Sequence, residues 1–219
     1  VSVVMSVCDD VDRIGHAVQG ILEQTLRDLE LIVVDDGSND GSGELLDRLA
    51  ARDSRLRVIH QRNAGLTRAL VLGCSEARGA FIARQDSDDW SHPRRLEEQV
   101  TLLESDPRIG FVSCATEYVG PGDEHLSVTV RPADPEAATR GLLGPYRLGP
   151  PAHGSVMFRK ALYEEVGGYR PEFHFAQDSD LWLRMGMKSR IAYLPDIRYT
   201  YRQQIRSTSG RFRHAQQLF

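Results

Sequence analysis

Short apolar runs alternate with helical patterns through the first half of the chain, and no other feature limits its possible folds so tightly. Residues 1–7, 29–34, 57–60 and 80–85 are rich in β-branched and other apolar side chains and read as strands. Between them Ile14, Val18, Ile21 and Leu22 share one helical face that runs out near Gln24-Thr25. Leu45, Leu46, Leu49 and Ala50 share a second, and Leu66, Ala69, Leu70 and Gly73 a third. Ser91-His92-Pro93 opens a fourth helix, with Leu96, Val100 and Leu103 at i, i+4 and i+7. Strand–helix units repeated this regularly join parallel strands through right-handed crossovers. The fold class is therefore α/β: a Rossmann-like, mostly parallel sheet with helices on both faces.

From Ile109 the alternation fails. Residues 109–119 read as a strand, and residues 120–153, broken by Gly144-Pro145 and Gly149-Pro150-Pro151, read as loop. A short strand over 155–158 leads to a helix over 159–165, stopped at Gly167-Gly168. Gln177-Asp178-Ser179-Asp180 introduces a helix through Leu181 and Met185, and residues 191–194 and 198–202 read as terminal strands. This half is mixed α+β, with long loops of the kind that carry recognition.

Three carboxylates, Asp86, Asp88 and Asp89, crowd the end of the fourth strand. Like charges so placed repel one another and lose hydration, so the arrangement points to a positive partner. Hard oxygen ligands two residues apart suit Mg²⁺ or Mn²⁺, ions that bring phosphate oxygens with them; a solvated acidic turn is the plain alternative. In open parallel sheets ligands collect beyond the carboxyl ends of the strands. Ser6 and Asp9, Asp35 and Asp36, and Asp86 and Asp88 each follow such an end and are expected to converge on one edge.

Composition narrows the partners. With 41% hydrophobic residues in 219 the chain can bury an ample core, and a net charge of −4 argues against a general nucleic-acid binder. No apolar run approaches the roughly 20 residues of a membrane helix. Cys8, Cys74 and Cys114 are odd in number and far apart, which supports neither a disulfide framework nor a zinc site and fits a reducing, cytoplasmic compartment. The chain opens inside a strand with no initiator Met, as a domain cut from a longer protein would. After Asp196 there are no acids, while Arg198, Arg202, Arg206, Arg211 and Arg213 accumulate. That tail reads as solvated; the alternative is a seat for a diphosphate or an anionic lipid-linked acceptor.

Val1-Ser2-Val3-Val4-Met5-Ser6, Ile32-Val33-Val34-Asp35-Asp36-Gly37-Ser38, Asn63-Ala64-Gly65-Leu66-Thr67, Arg84-Gln85-Asp86-Ser87-Asp88-Asp89 and Gln177-Asp178-Ser179-Asp180-Leu181-Trp182-Leu183-Arg184 stand in the order and spacing of the family 2 glycosyltransferases. The chain resembles their GT-A catalytic domain from end to end. The resemblance implies one domain over residues 1–219, with a nucleotide-binding half (1–108) and an acceptor-binding half (109–219). It implies transfer of a hexosyl or N-acetylhexosaminyl group, with inversion, from a nucleotide-diphosphate sugar to a growing cell-envelope glycan or a lipid-linked acceptor. The donor expected is UDP-linked and the place the inner face of the cell membrane.

The same resemblance assigns roles. Asp36 matches the carboxylate that accepts from the base N3–H, and Ser6 a neighbouring position at the nucleoside. Asp86 and Asp88 match the D-x-D motif, with Asp88 the direct ligand of Mn²⁺ or Mg²⁺, and Asp178 matches the catalytic base. Arg68 is similar to a basic residue near the donor phosphates or the nucleoside. Asp178 as a helix N-cap, Asp35 as a turn residue, Asp89 as a contact to the next helix, Asp180 as first-turn charge and His153 as a hydrogen-bonded loop residue or acceptor-side group are the readings set beside these. Trp90 and Trp182 read as packing residues, with sugar stacking as the alternative. Three positions depart from the family pattern: Gln177 where glutamate is common, Gln204 where a histidine is common, and Cys8 where an aromatic often stacks on the base. Gln177 and Gln204 keep a second class of function in view, a non-catalytic nucleotide- or glycan-binding module. A phosphoryl-transfer domain is a distant third, since the only lysines, Lys160 and Lys188, lie outside the Rossmann-like half.

Overall fold

The structure, a computed structural model, describes residues 1–203. Strand–helix alternation builds the first half as the sequence predicts. β1 (Ser2–Val7), α1 (Val11–Leu22), β2 (Glu30–Asp36), α2 (Ser42–Ala50), β3 (Leu56–Gln61), α3 (Leu66–Ser75) and β4 (Phe81–Asp86) follow in order. β1 lies between β2 and β4, and β2 pairs with β3 beyond it, all in parallel. A two-residue strand β5 (Trp90–Ser91) precedes α4 (Arg95–Ser105). The second half supplies β6 (Ile109–Val119), β7 (His125–Thr129), α5 (Pro135–Leu143), a 3₁₀ turn at His153–Ser155, β8 (Met157–Arg159), α6 (Lys160–Glu165), α7 (Gln177–Gly186) and β9 (Arg190–Arg202). Among the described residues these complete one sheet in the order β3-β2-β1-β4-β8-β6-β9-β5, with β7 added on β6. β8 runs antiparallel to both β4 and β6, and β9 runs parallel to β6.

Alternate residues of the central strands feed two cores, as the two-residue period of a strand dictates. Val3, Met5, Leu31 and Val33 pack with Ile14 and Ile21 of α1, Leu46 of α2 and Leu96 of α4. Val4 and Ile32 face the other way, onto Leu70 of α3, Ala138 of α5, Leu162 of α6 and Met185 of α7. Helices therefore cover both faces of the sheet. Ile14 and Ile21 have no solvent exposure, and burying a side chain of that size is worth roughly 1.5–3 kcal/mol.

Two expectations for the second half change. Residues 120–153 are not continuous loop: β7 and α5 lie within them. α5 has a complete start signal, with Pro135 at its first turn and Asp134 accepting from the Ala137 N–H at 2.8 Å. The two terminal strands are one. β9 continues through Pro195-Asp196, where the pairing jumps from Cys114↔Leu194 to Ala115↔Ile197. Proline has no N–H to give the ladder, so the chain bulges there and resumes. β5 pairs with Thr200 and Tyr199 of β9, a contact that no local pattern announces.

Candidate active site

Side-by-side registry puts the polar strand ends together. Ser6 stands opposite Val34 on one side and Asp86 on the other, and Val7 stands opposite Asp35. Loops then cross-brace the edge. Asp9 accepts from the Asn39 N–H at 2.7 Å and donates its own N–H to the Ser38 hydroxyl at 3.0 Å. Gly37 takes φ +78, and a Cβ there would come within 2.7 Å of the Asn63 nitrogen, so only glycine lets the loop after β3 approach this closely.

Asp35 and Asp36 divide their work. Asp35 accepts from the Ser38 N–H at 3.0 Å and lies 2.9 Å from Nδ1 of His60, which holds the turn as the sequence suggests. The buried Asp36 carboxylate accepts at Oδ1 from Gln61 (2.6 Å) and the Ala64 N–H (2.8 Å), and at Oδ2 from the Gly65 N–H (2.9 Å). Arg68 is exposed on α3, just beyond that loop. Asn63 donates to the Cys8 sulfur at 3.2 Å, and partial burial together with Asp9, Asp36 and Asp35 keeps the Cys8 thiol protonated above its ordinary range.

The three acids after β4 have three different settings. Asp86 is held at 2.7 Å by the guanidinium of Arg84, which is fully buried in β4. Asp88 is half-buried, and burial, then the charges of Asp86 and Asp10, push its pKa up to about 6. Asp10 itself accepts from the hydroxyl of Ser87, the residue between the two, and pairs with Arg13 at 2.5 Å. Asp89 corrects an expectation: it contacts β9 and not the next helix. Its buried carboxylate accepts from the Tyr199 hydroxyl at 2.8 Å and the Arg202 N–H at 2.9 Å, and burial raises its pKa well above the ordinary value. Among the described residues no cluster of three or more His, Cys, Asp or Glu side chains is arranged as a metal cage. Two carboxylates do fit Mg²⁺ or Mn²⁺, which commonly take one or two carboxylates and leave the other positions to water and phosphate oxygens.

Asp178 lies in the first turn of α7, inside the helix; the N-cap is Ala176, in a left-handed conformation. Asp178 accepts from the Ser179 N–H at 2.8 Å. Its pKa is raised, first by burial, with the charge of Asp86 adding to the shift. Asp180 is more than first-turn charge: it pairs with Arg184 at 2.5 Å and Arg170 at 3.3 Å. Gln177 is buried. Trp182 is buried against Phe111 and Phe158, so it offers no face to a sugar. Trp90 stacks under His16 at 4.1 Å and over Gly20, where a Cβ would come within 2.7 Å of the ring.

Arg84 and Arg95 were not legible as part of this edge. Arg84 donates to the carbonyls of Val4 and Gln85, to Asp86, and through Nε to Nε2 of His153 at 3.3 Å. Arg95, equally buried, donates to the carbonyls of Arg84 (3.0 Å) and Gly154 (2.6 Å) beneath it. A charged side chain inside an otherwise apolar strand, two residues before a carboxylate, was the available signal. Burial and the Arg84 charge hold His153 well below its usual pKa. Of the basic tail, Arg198 pairs with Glu98 at 2.6 Å and Arg202 with Asp123; Gln204, Arg206, Arg211 and Arg213 lie outside the described residues.

The family model for glycosyl transferase family 2 matches residues 2–167. The chain belongs to glycosyl transferase family 2. Among curated members, EpsE of Bacillus subtilis (strain 168), named as a glycosyltransferase, is 34% identical over 194 residues, covering 84% of this chain and 66% of that one. EpsJ of the same organism, named likewise, is 31% identical over 217 residues, covering 93% and 61%. This family 2 chain thus spans somewhat under two thirds of the length of those relatives. Among solved structures, S. aureus TarS 1-349 superposes with a TM-score of 0.75 at 18% identity, covering 92% of this chain and 60% of that one, and shows the GT-A fold. The same TarS segment in complex with UDP gives 0.74. Among the described residues no helix is long and apolar enough to cross a membrane.

Proposed function

We propose that this chain transfers a glycosyl group, hexosyl or N-acetylhexosaminyl, from a UDP-linked sugar to a hydroxyl of a glycan or lipid-linked acceptor, with inversion at the anomeric carbon. One observation carries the reading: α7, which carries Asp178, packs through Trp182 on the ring of His153, and His153 accepts from Arg84, the residue that holds Asp86 at 2.7 Å. The helix that carries Asp178 therefore packs beside the strand that ends in the acidic motif, and the Asp86 charge adds to the upward shift of the Asp178 pKa. Raised above the ordinary range, Asp178 is a stronger base than a solvated aspartate and suits removal of the acceptor hydroxyl proton as the new bond forms. Asp86 and Asp88 would hold Mg²⁺ or Mn²⁺, which when bound supplies Lewis-acid stabilisation of the leaving diphosphate.

Ser6 and Asp36 bind the nucleoside in this reading, and Arg68 lies toward the phosphates. Residues 1–108 form the nucleotide-binding half and residues 109–219 the acceptor-binding half of one domain, working at the cytoplasmic face of the cell membrane. The UDP bound in the TarS structure supports a uridine nucleotide as donor. The test is Asp178→Asn. UDP release from a panel of UDP-sugars should fall about 10²–10⁴-fold, the share a general base supplies, while calorimetric UDP affinity stays within about threefold. Loss of UDP affinity in step with activity would make Asp178 a binding residue and remove the base.

A further inference from the structure

We propose that His153 binds the donor diphosphate through its Nδ1–H, as a neutral hydrogen-bond donor whose tautomer is set by Arg84 and Tyr169. The inference deepens the proposed function and rests on it. Arg84 has no solvent exposure and its Nε–H donates to Nε2 of His153 at 3.3 Å. A guanidinium has no acceptor, so Nε2 carries no proton. The Tyr169 hydroxyl, 2.6 Å from the same nitrogen, must then donate to it as well. The ring proton is left on Nδ1, and among the described residues Nδ1 makes no hydrogen bond.

The position gives that proton a use. His153 opens the 3₁₀ turn beside β4, and at the next residue, Gly154, a Cβ would come within 3.0 Å of the Asp86 nitrogen. On its other side the ring meets Trp182 of α7 edge-on at 5.9 Å, so it stands between the acidic motif and the helix that carries Asp178. The ring is half-buried, and Nε2 is the buried edge because its partners Arg84 and Tyr169 are buried. The open edge is the one with Nδ1–H. Donation from a cation to Nε2 polarises the ring, which strengthens Nδ1–H as a donor to an anionic oxygen without adding a charge at the edge. A phosphate oxygen of a nucleoside diphosphate is the acceptor of that kind that a carboxylate motif, through its cation, would bring here.

Asparagine and glutamine at this position separate the roles. Asparagine places an amide N–H where Nδ1–H stands; glutamine places an acceptor where Nε2 stands, facing Arg84 and Tyr169. UDP affinity in Mg²⁺ buffer should stay within about threefold in His153→Asn and fall roughly 10-fold or more in His153→Gln, the worth of a hydrogen bond to a charged group. In unaltered protein labelled with ¹⁵N at histidine, His153 should show the Nδ1–H tautomer, and that resonance should move with UDP and not with uridine. The opposite order, glutamine tolerated and asparagine not, makes His153 a support for Arg84 and overturns the proposal. A resonance that is unmoved in UDP-saturated protein overturns it too, and leaves the proposed function standing. Failure of the unaltered chain to bind UDP overturns both. Should neither variant fold, the resonance of the unaltered protein decides.

Discussion

The Asp36 carboxylate accepts three hydrogen bonds, from Gln61, Ala64 and Gly65, and only one of them falls on Oδ2. A carboxylate oxygen has two lone-pair sites, so Oδ2 keeps one beyond its bond to Gly65, and the proposed function gives that site to the base N–H. Asp36→Ala should therefore act twice. Urea unfolding should show a loss of about 1 kcal/mol, as three part-buried hydrogen bonds lose their acceptor, and UDP affinity should weaken with or without metal. Unchanged UDP affinity would take Asp36 out of the site. Residue by residue, the sequence showed which acids gather at the sheet edge and did not show their partners. Asp89 is satisfied by Tyr199 and Arg202, more than a hundred positions on, and Arg84 by His153. Pairings that long leave no local periodicity to read.

At the level of elements, β1 to β4 and α1 to α4 were legible because each buries one face or both within a single local period. α5 and β7 were hidden by neighbouring Gly and Pro residues, although Asp134-Pro135 is a strong helix start in itself. β9 is the element that locks the edge: Tyr199 donates to Asp89 and accepts from the Asp86 N–H at 3.3 Å, directly over Gly154. A Cβ at Gly154 would overlap the Tyr199 hydroxyl. Gly154→Ala must then displace either the 3₁₀ turn or β9. Its thermal midpoint should fall by several degrees, about 1–3 kcal/mol of overpacking in a core of this size, with UDP binding weakened alongside. A variant as stable as the parent would show that the turn and β9 are not wedged together.

For the whole molecule, activity should follow the ionisation of Asp178. Its pKa is raised by burial and by Asp86, and in the proposed reaction the ionised form is the base. The profile of kcat/KM should therefore fall as pH drops, along an acid limb displaced above the ordinary aspartate range. The same displacement fixes a sign in stability. Folding binds the Asp178 proton more tightly than the unfolded chain does, so the ionised carboxylate weighs against the fold above its folded pKa and is relieved below it. Asp178→Asn should be the more stable protein near neutral pH, by a margin that closes as pH falls through that pKa; a margin that widens instead would contradict the assigned shift. Family and fold class were legible because all the motifs but the one in α7 lie along or just after β1 to β4, where the sheet itself brings them together. The donor sugar, acceptor and linkage depend on loop surfaces that carry no such pattern. The most direct measurement is calorimetric titration of UDP into the protein with and without Mn²⁺, repeated with Asp88→Asn. Binding that strengthens with Mn²⁺ and is lost in the variant is the result expected of a metal-assisted UDP-sugar transferase. No binding, or binding indifferent to both the ion and Asp88, would contradict it.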